Sequence, residues 1–283
     1  MTDSTLRGFV EIPDSISTYF LDTCVWSHLV DSKVAGHRFR SRFESENLLA
    51  GLSVFTVFEL TRAARLLSDL DNSFYGMRTN IWMPLLYDEL FDLELTSYPN
   101  NVKMRWMPLS LITDEENPEV MTKFARDPRV QSKRDEYLGF GASDFMDLER
   151  FKKNFPAAED GSFSTEQADL FAWSNTVDFL ARYFHDFLIP FKGNASSLDT
   201  RKLASVHMRS LFLFYKYYIH GQSPAQSDFM DFAHVSYAPY VDYYVTERNA
   251  ANVLRHIAAS NNMISNTEPI VVSDFIRELE RGA

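Results

Sequence analysis

Short runs of β-branched and aromatic residues, each closing on a polar residue and running into a helix-forming stretch, recur near the start of this 283-residue chain and again near its end. The first, Thr18-Tyr19-Phe20-Leu21-Asp22-Thr23, has the make-up of a short buried strand with Asp22 at its carboxyl end. A second apolar run, Leu52-Ser53-Val54-Phe55, leads into residues 56–67, which favour a helix capped near Ser53 or Thr56 with Glu59 in an early turn. Towards the far end, residues 203–219 and 226–235 read as helices and Asp242-Tyr243-Tyr244-Val245-Thr246 as a strand. Residues 249–259 read as a helix, Pro269-Ile270-Val271-Val272 as a strand and residues 273–279 as a capped helix. Strand–helix alternation at both ends predicts an α/β fold built on a parallel sheet flanked by helices.

The middle of the chain reads differently. From residue 71 to 198, aromatic and Met residues recur at helical spacing between breaks at Pro84, Pro99, Pro108, Pro118 and Pro128, which predicts a mostly α-helical insertion. Leu170, Trp173, Val177, Leu180, Phe184 and Phe187 alternate at three- and four-residue steps and so are expected to form one core-facing stripe. Residues 152–164, with Pro156, Gly161 and several charges, read as a loop. The organisation expected is a core in two parts, residues 1–70 and 199–283, separated by the insertion at 71–198.

Composition bounds the chemistry. With 45% hydrophobic and 24% charged residues the chain can bury a substantial core. Its one cysteine, Cys24, excludes an internal disulfide, and no Cys/His spacing suggests structural zinc. The opening Met-Thr-Asp-Ser-Thr-Leu-Arg-Gly has no secretory apolar region, so a cytoplasmic protein is expected. The apolar stretch 170–190 is interrupted by Asp178, Arg182, His185 and Asp186, so no membrane span is expected. A formal charge of −11, from 28 basic and 39 acidic residues, argues against a broad electropositive coat. A nucleic-acid substrate would have to be held by local basic groups or by metal.

In a parallel sheet, ligands collect at the carboxyl ends of the strands. Asp22 stands at one such end, Glu59 on the helix after another and Thr246 at a third, while Asp228 and Asp231 share one helix face at i,i+3 spacing. Carboxylates gathered into one pocket would raise one another's pKa unless a divalent cation neutralised them. An all-oxygen set suits Mg²⁺ or Mn²⁺, and such an ion can activate water against a phosphodiester.

These residues resemble the PIN-domain nucleases. The resemblance rests on the order of Tyr19-Phe20-Leu21-Asp22-Thr23-Cys24-Val25-Trp26, Ser53-Val54-Phe55-Thr56-Val57-Phe58-Glu59-Leu60, Ser227-Asp228-Phe229-Met230-Asp231-Phe232-Ala233-His234 and Tyr243-Tyr244-Val245-Thr246-Glu247-Arg248. The ending Pro269-Ile270-Val271-Val272-Ser273-Asp274-Phe275-Ile276 looks like that family's final strand and helix. It implies a PIN-like core split by the insertion and a Mg²⁺- or Mn²⁺-dependent endoribonuclease, DNA not being excluded. Asp22, Glu59 and Asp231 would be the acidic core and Asp228 could share the third role. Where family members often carry a fourth acid this chain has Arg248, leaving Asp242 and Glu247 as substitutes. Bacterial relatives suggest a toxin or defence nuclease with an antitoxin or regulatory partner; a homo-oligomer is also possible.

Around this core, Thr23 and Thr246 are candidates to hydrogen-bond the acids, and Arg62, with Arg65, to meet substrate phosphates. His234 is expected to be a buried, hydrogen-bonded histidine rather than a ligand, and Cys24 a buried packing residue. Lys123, Arg126, Arg129, Lys133 and Arg134 form a basic run that reads as a solvated face first and an RNA-contacting face second. A phosphatase of the haloacid-dehalogenase type would need an aspartate at the position of Cys24, and no phosphate-loop or H-E-x-x-H string occurs. The alternative reading is a catalytically impaired PIN-like scaffold that binds RNA or protein.

Overall fold

The computed structural model describes residues 10–62, 64–74, 80–84, 87–102, 105–108, 119–136, 163–225 and 228–281. The opening octapeptide, Pro118 and residues 152–162 of the expected loop lie outside them. The architecture is α/β. Seven strands form one sheet: β1 (Val10–Glu11), β2 (Thr18–Leu21), β3 (Leu49–Gly51), β4 (Ile81–Pro84), β5 (Arg105–Pro108), β6 (Tyr243–Thr246) and β7 (Glu268–Val271). Their order is β1-β5-β4-β3-β2-β6-β7. The five from β4 to β7 run parallel, and β5 joins β4 antiparallel with β1 beyond it.

β2 lies at the centre. All four of its residues are buried, which is why it reads as a continuous apolar run instead of an alternating one. Register sets Tyr19 beside Tyr243 and Phe20 beside Tyr244, and the rings stack at 4.4 and 4.9 Å between centroids. On the other side β3 comes close enough that a Cβ on Gly51 would lie 2.6 Å from the Trp82 ring. The strand order reverses at β2: the chain first builds outward through β3 and β4, then returns to place β6 on the open side of β2. Such a switch point leaves a crevice at the carboxyl ends of β2 and β6.

Three expectations need correction. Residues 71–198 are not purely a helical insertion, because β4 and β5 lie within them and extend the sheet. Both strands end in Trp-Met-Pro and pair antiparallel with Trp82 opposite Pro108 and Pro84 opposite Trp106. Of the prolines read as breaks, Pro84 and Pro108 are strand ends, where a missing N–H is tolerated. The helix Thr165–Tyr183 buries Ala168, Ala172, Thr176 and Leu180, and Leu170 is 66% exposed. Small residues at four-residue spacing let the helix Ala204–Phe214 approach closely, so the most buried stripe runs through Ala168, Ala172, Thr176 and Leu180, while Val177, Phe184 and Phe187 of the expected stripe pack half-buried against a second apolar cluster. Finally, Glu59 sits in the last turn of the Val54–Leu60 helix. That helix is capped by Ser53 and stops early because the Thr61 hydroxyl returns to the Phe58 carbonyl at 2.6 Å.

Among the described residues, no helix is long and apolar enough to cross a membrane.

Candidate metal centre

Asp22 follows β2 directly and is the N-cap of the helix Thr23–Asp31. Its Oδ1 accepts from the Thr23 N–H at 2.7 Å and lies 3.0 Å from Nδ1 of His234, and its Oδ2 accepts from the Thr246 hydroxyl at 2.6 Å. A carboxylate offers about four lone-pair sites, so these three donors leave one, on Oδ2. Glu59, half-buried on the helix after β3, accepts from the Thr23 hydroxyl through Oε2. Among the described residues its Oε1 has no hydrogen-bond partner. Thr23 also faces Thr56 at 3.4 Å, so the two threonines tie the neighbouring helix starts together. Asp22, Glu59 and His234 present one possible ligand atom each, all within 4.8 Å of one another.

His234 is buried on the helix Asp228–Val235, between the rings of Phe20 and Phe55. Among the described residues its Nε2 has no hydrogen-bond partner, and its polar contact is through Nδ1 to Asp22. Burial alone would raise the Asp22 carboxyl, but hydrogen bonds from His234, Thr246 and the Thr23 N–H outweigh it and hold the group below its ordinary pKa. Burial would likewise lower His234, and the Asp22 carboxylate outweighs that and lifts it. The expectation of a buried, hydrogen-bonded histidine stands, but its partner is the central acid.

Asp231 lines a small cavity together with Asp22, Thr246, Phe212 and Tyr244. The space holds about one water molecule, and its walls carry the polar partners a water needs. Asp231 lies outside the group formed by Asp22, Glu59 and His234, and its Oδ2 accepts from Lys216 Nζ at 2.7 Å. Its carboxyl is pushed up to about 6, chiefly by burial, with Lys216 pulling down and Asp22 and Asp228 pushing up. Asp228 also lies outside that group. Buried, it accepts from Lys216 Nζ at 3.0 Å, Tyr217 OH at 2.5 Å and the Ala225 N–H at 2.9 Å. Burial would lower the Lys216 ammonium, but the two carboxylates outweigh that and keep it charged.

The two substitute acids separate. Asp242 precedes β6, at the opposite end of the sheet from Asp22, where its Oδ2 accepts from the N–H and hydroxyl of Thr18 at 2.8 and 3.0 Å. Parallel strands bring like ends together, so a residue before β6 meets the start of β2, and Asp242 is no metal ligand. Glu247 stands at the correct end, exposed at the N-cap of the helix Arg248–Ser260, outside the group formed by Asp22, Glu59 and His234. Cys24 is exposed, not packed as expected. Its thiol is pushed up by desolvation and then by Asp22, Glu247 and Glu59, which places all three carboxylates on its side of the molecule. Arg62 is exposed just past Glu59, whereas Arg65 is tied to Asp31 and Asp69. In the basic run, Arg129, Lys133 and Arg134 pair with Asp127, Glu136 and Asp135, as a solvated face does.

No family model, curated protein or solved structure matches the chain. What the site can do therefore follows from its donor set. Two residues hold the acids in place: His234, expected as a buried histidine without a named partner, and Lys216, for which no role was expected from the sequence. Lys216 had a signal: a single ammonium within the otherwise apolar run Phe212-Leu213-Phe214-Tyr215-Lys216-Tyr217-Tyr218-Ile219 must find a buried partner.

Proposed function

We propose that the chain is a divalent-cation-dependent nuclease that hydrolyses RNA phosphodiester bonds with an activated water. The observation carrying this reading is the convergence of Asp22 and Glu59, from two different strand–helix junctions, within ligand distance at the sheet's switch point. Asp22 Oδ2 and Glu59 Oε1 would hold Mg²⁺ or Mn²⁺, both oxygen-seeking ions that keep several waters. When bound, the ion supplies a water of lowered pKa and positive charge for the phosphate oxygens. Thr246 and His234 fix the orientation of Asp22, as hydrogen-bonded partners of metal-binding carboxylates do. Asp231, which lines the water-sized cavity with Asp22, would receive the proton of the attacking water. Attack at phosphorus would break one ester bond, and the departing oxygen would take up a proton from solvent.

The resemblance to PIN nucleases supports RNA over DNA and a toxin or defence role with an antitoxin-like partner. The impaired-scaffold reading keeps one specific observation: Lys216 already neutralises the helix-borne acids, leaving fewer carboxylates for cations. Incubation of the full chain with mixed single-stranded RNA and DNA and Mn²⁺ decides between them. The wild type is expected to cut RNA, and Asp22→Asn to lose activity by at least a hundredfold. Equal cleavage by the two chains would reject the nuclease, and Mn²⁺ binding without any cleavage would favour the scaffold.

A further inference from the structure

We infer that the Lys216 ammonium occupies the place of a second cation at this centre, so that the site takes a single divalent ion and Asp231 is positioned by lysine instead of by metal. The inference rests on the nuclease reading above and deepens it. Two carboxylates at i,i+3 spacing beside a third are an arrangement that a cation bridges, and here Nζ of Lys216 bridges them at 3.0 and 2.7 Å. The lysine side chain is 9% exposed, so this positive charge is built into the fold and cannot exchange with solvent ions.

Local structure is shaped for that bridge. Residues Tyr215–Ile219 form a π-helical turn at the end of the helix Ala204–Phe214, a widened turn of the kind that often accompanies functional sites. It allows successive side chains, Lys216 and Tyr217, to reach the two oxygens of one carboxylate, Asp228. Asp228 thereby becomes a fixed anchor for the ammonium. Asp231 is held by one oxygen, and among the described residues its Oδ1 keeps no hydrogen-bond partner. The cavity it shares with Asp22 and Thr246 has space for about one water. A second hydrated divalent ion would have to displace the lysine.

The test counts Mn²⁺ bound by the full chain, using electron paramagnetic resonance and calorimetric titration. One ion per wild-type chain, with no spin coupling, is expected. Lys216→Met, which leaves both carboxylates uncompensated, should take up a second ion whose signal is exchange-broadened, and Lys216→Arg should return to one. Lys216→Met should also show a larger rise in melting temperature with Mn²⁺ than the wild type. Two ions in the wild type overturn the inference, as does a Lys216→Met chain that binds one ion, or that stays unfolded with and without Mn²⁺. A wild-type chain that binds none strikes first at the metal-centre reading and takes the inference with it.

Discussion

Asp22 serves two ends with one side chain: Oδ1 caps a helix and accepts from His234, and Oδ2 is left with a single lone pair facing the cavity. Its usefulness therefore depends on the donors around it. Replacing His234 by Leu removes one of them, and Mn²⁺ affinity should fall by roughly 10–100-fold. His234→Gln, which can still donate, should lose less; titration calorimetry giving equal affinities for all three chains would show that the imidazole does not orient the carboxylate. The position of Asp22 was legible at the residue scale because a polar residue at the end of a buried strand has few other places to go. The roles of Lys216 and His234 were not legible, since each depends on which oxygen a distant helix presents. Asp242 misled because, in sequence, the two ends of a four-residue strand look equally close to Thr246.

Between elements, a second buried acid has a different task. Glu94, on the helix Tyr87–Ser97, accepts from the N–H and hydroxyl of Ser205 at 2.7 and 2.6 Å and from the Tyr240 hydroxyl. It thereby joins that helix to the start of Ala204–Phe214 and to the turn that feeds β6. Burial lifts its carboxyl from 4.5 to about 7. A raised folded-state pKa means that the native state holds the proton more tightly, so this contribution is whole below about pH 4.5 and is lost as pH rises through 7. The loss is on the order of 3 kcal/mol. Nearby His207, lowered to about 4 by burial, acts in the opposite sense, losing stability as pH falls below 6.5. Glu94→Gln should therefore leave the acid-side loss in place and flatten the decline between pH 5 and 8 in thermal melts. A decline identical to the wild type's would clear Glu94 of the role. None of this could be read from sequence, where Glu94 is one of several acids on an amphipathic helix. The strands β4 and β5 were hidden for a related reason: four residues ending in proline carry less periodicity than the helices around them.

Over the whole molecule, the sheet order brings together parts of the chain that synthesis keeps far apart. Asp22 and Thr246 meet although 224 residues separate them. A cation on Asp22 and Glu59 would bind only the assembled sheet, so Mn²⁺ at a hundred times its dissociation constant should add about 2.7 kcal/mol to stability. Thermal melts with and without Mn²⁺ measure this, and Asp22→Asn should abolish the shift; a shift that survives the substitution would move the ion elsewhere. The α/β class with its parallel sheet was legible from strand–helix alternation at both ends, because a central strand buried on both faces needs an unbroken apolar run. The segment between them was only half legible, its helices from spacing and its share of the sheet not at all.

That long separation has a consequence for a growing polypeptide. While the ribosome is still translating, the aspartate of β2 emerges long before Thr246 and His234, the two groups that aim it. On the nuclease reading, a nascent chain would stay inert towards its own message until β6 had left the ribosome.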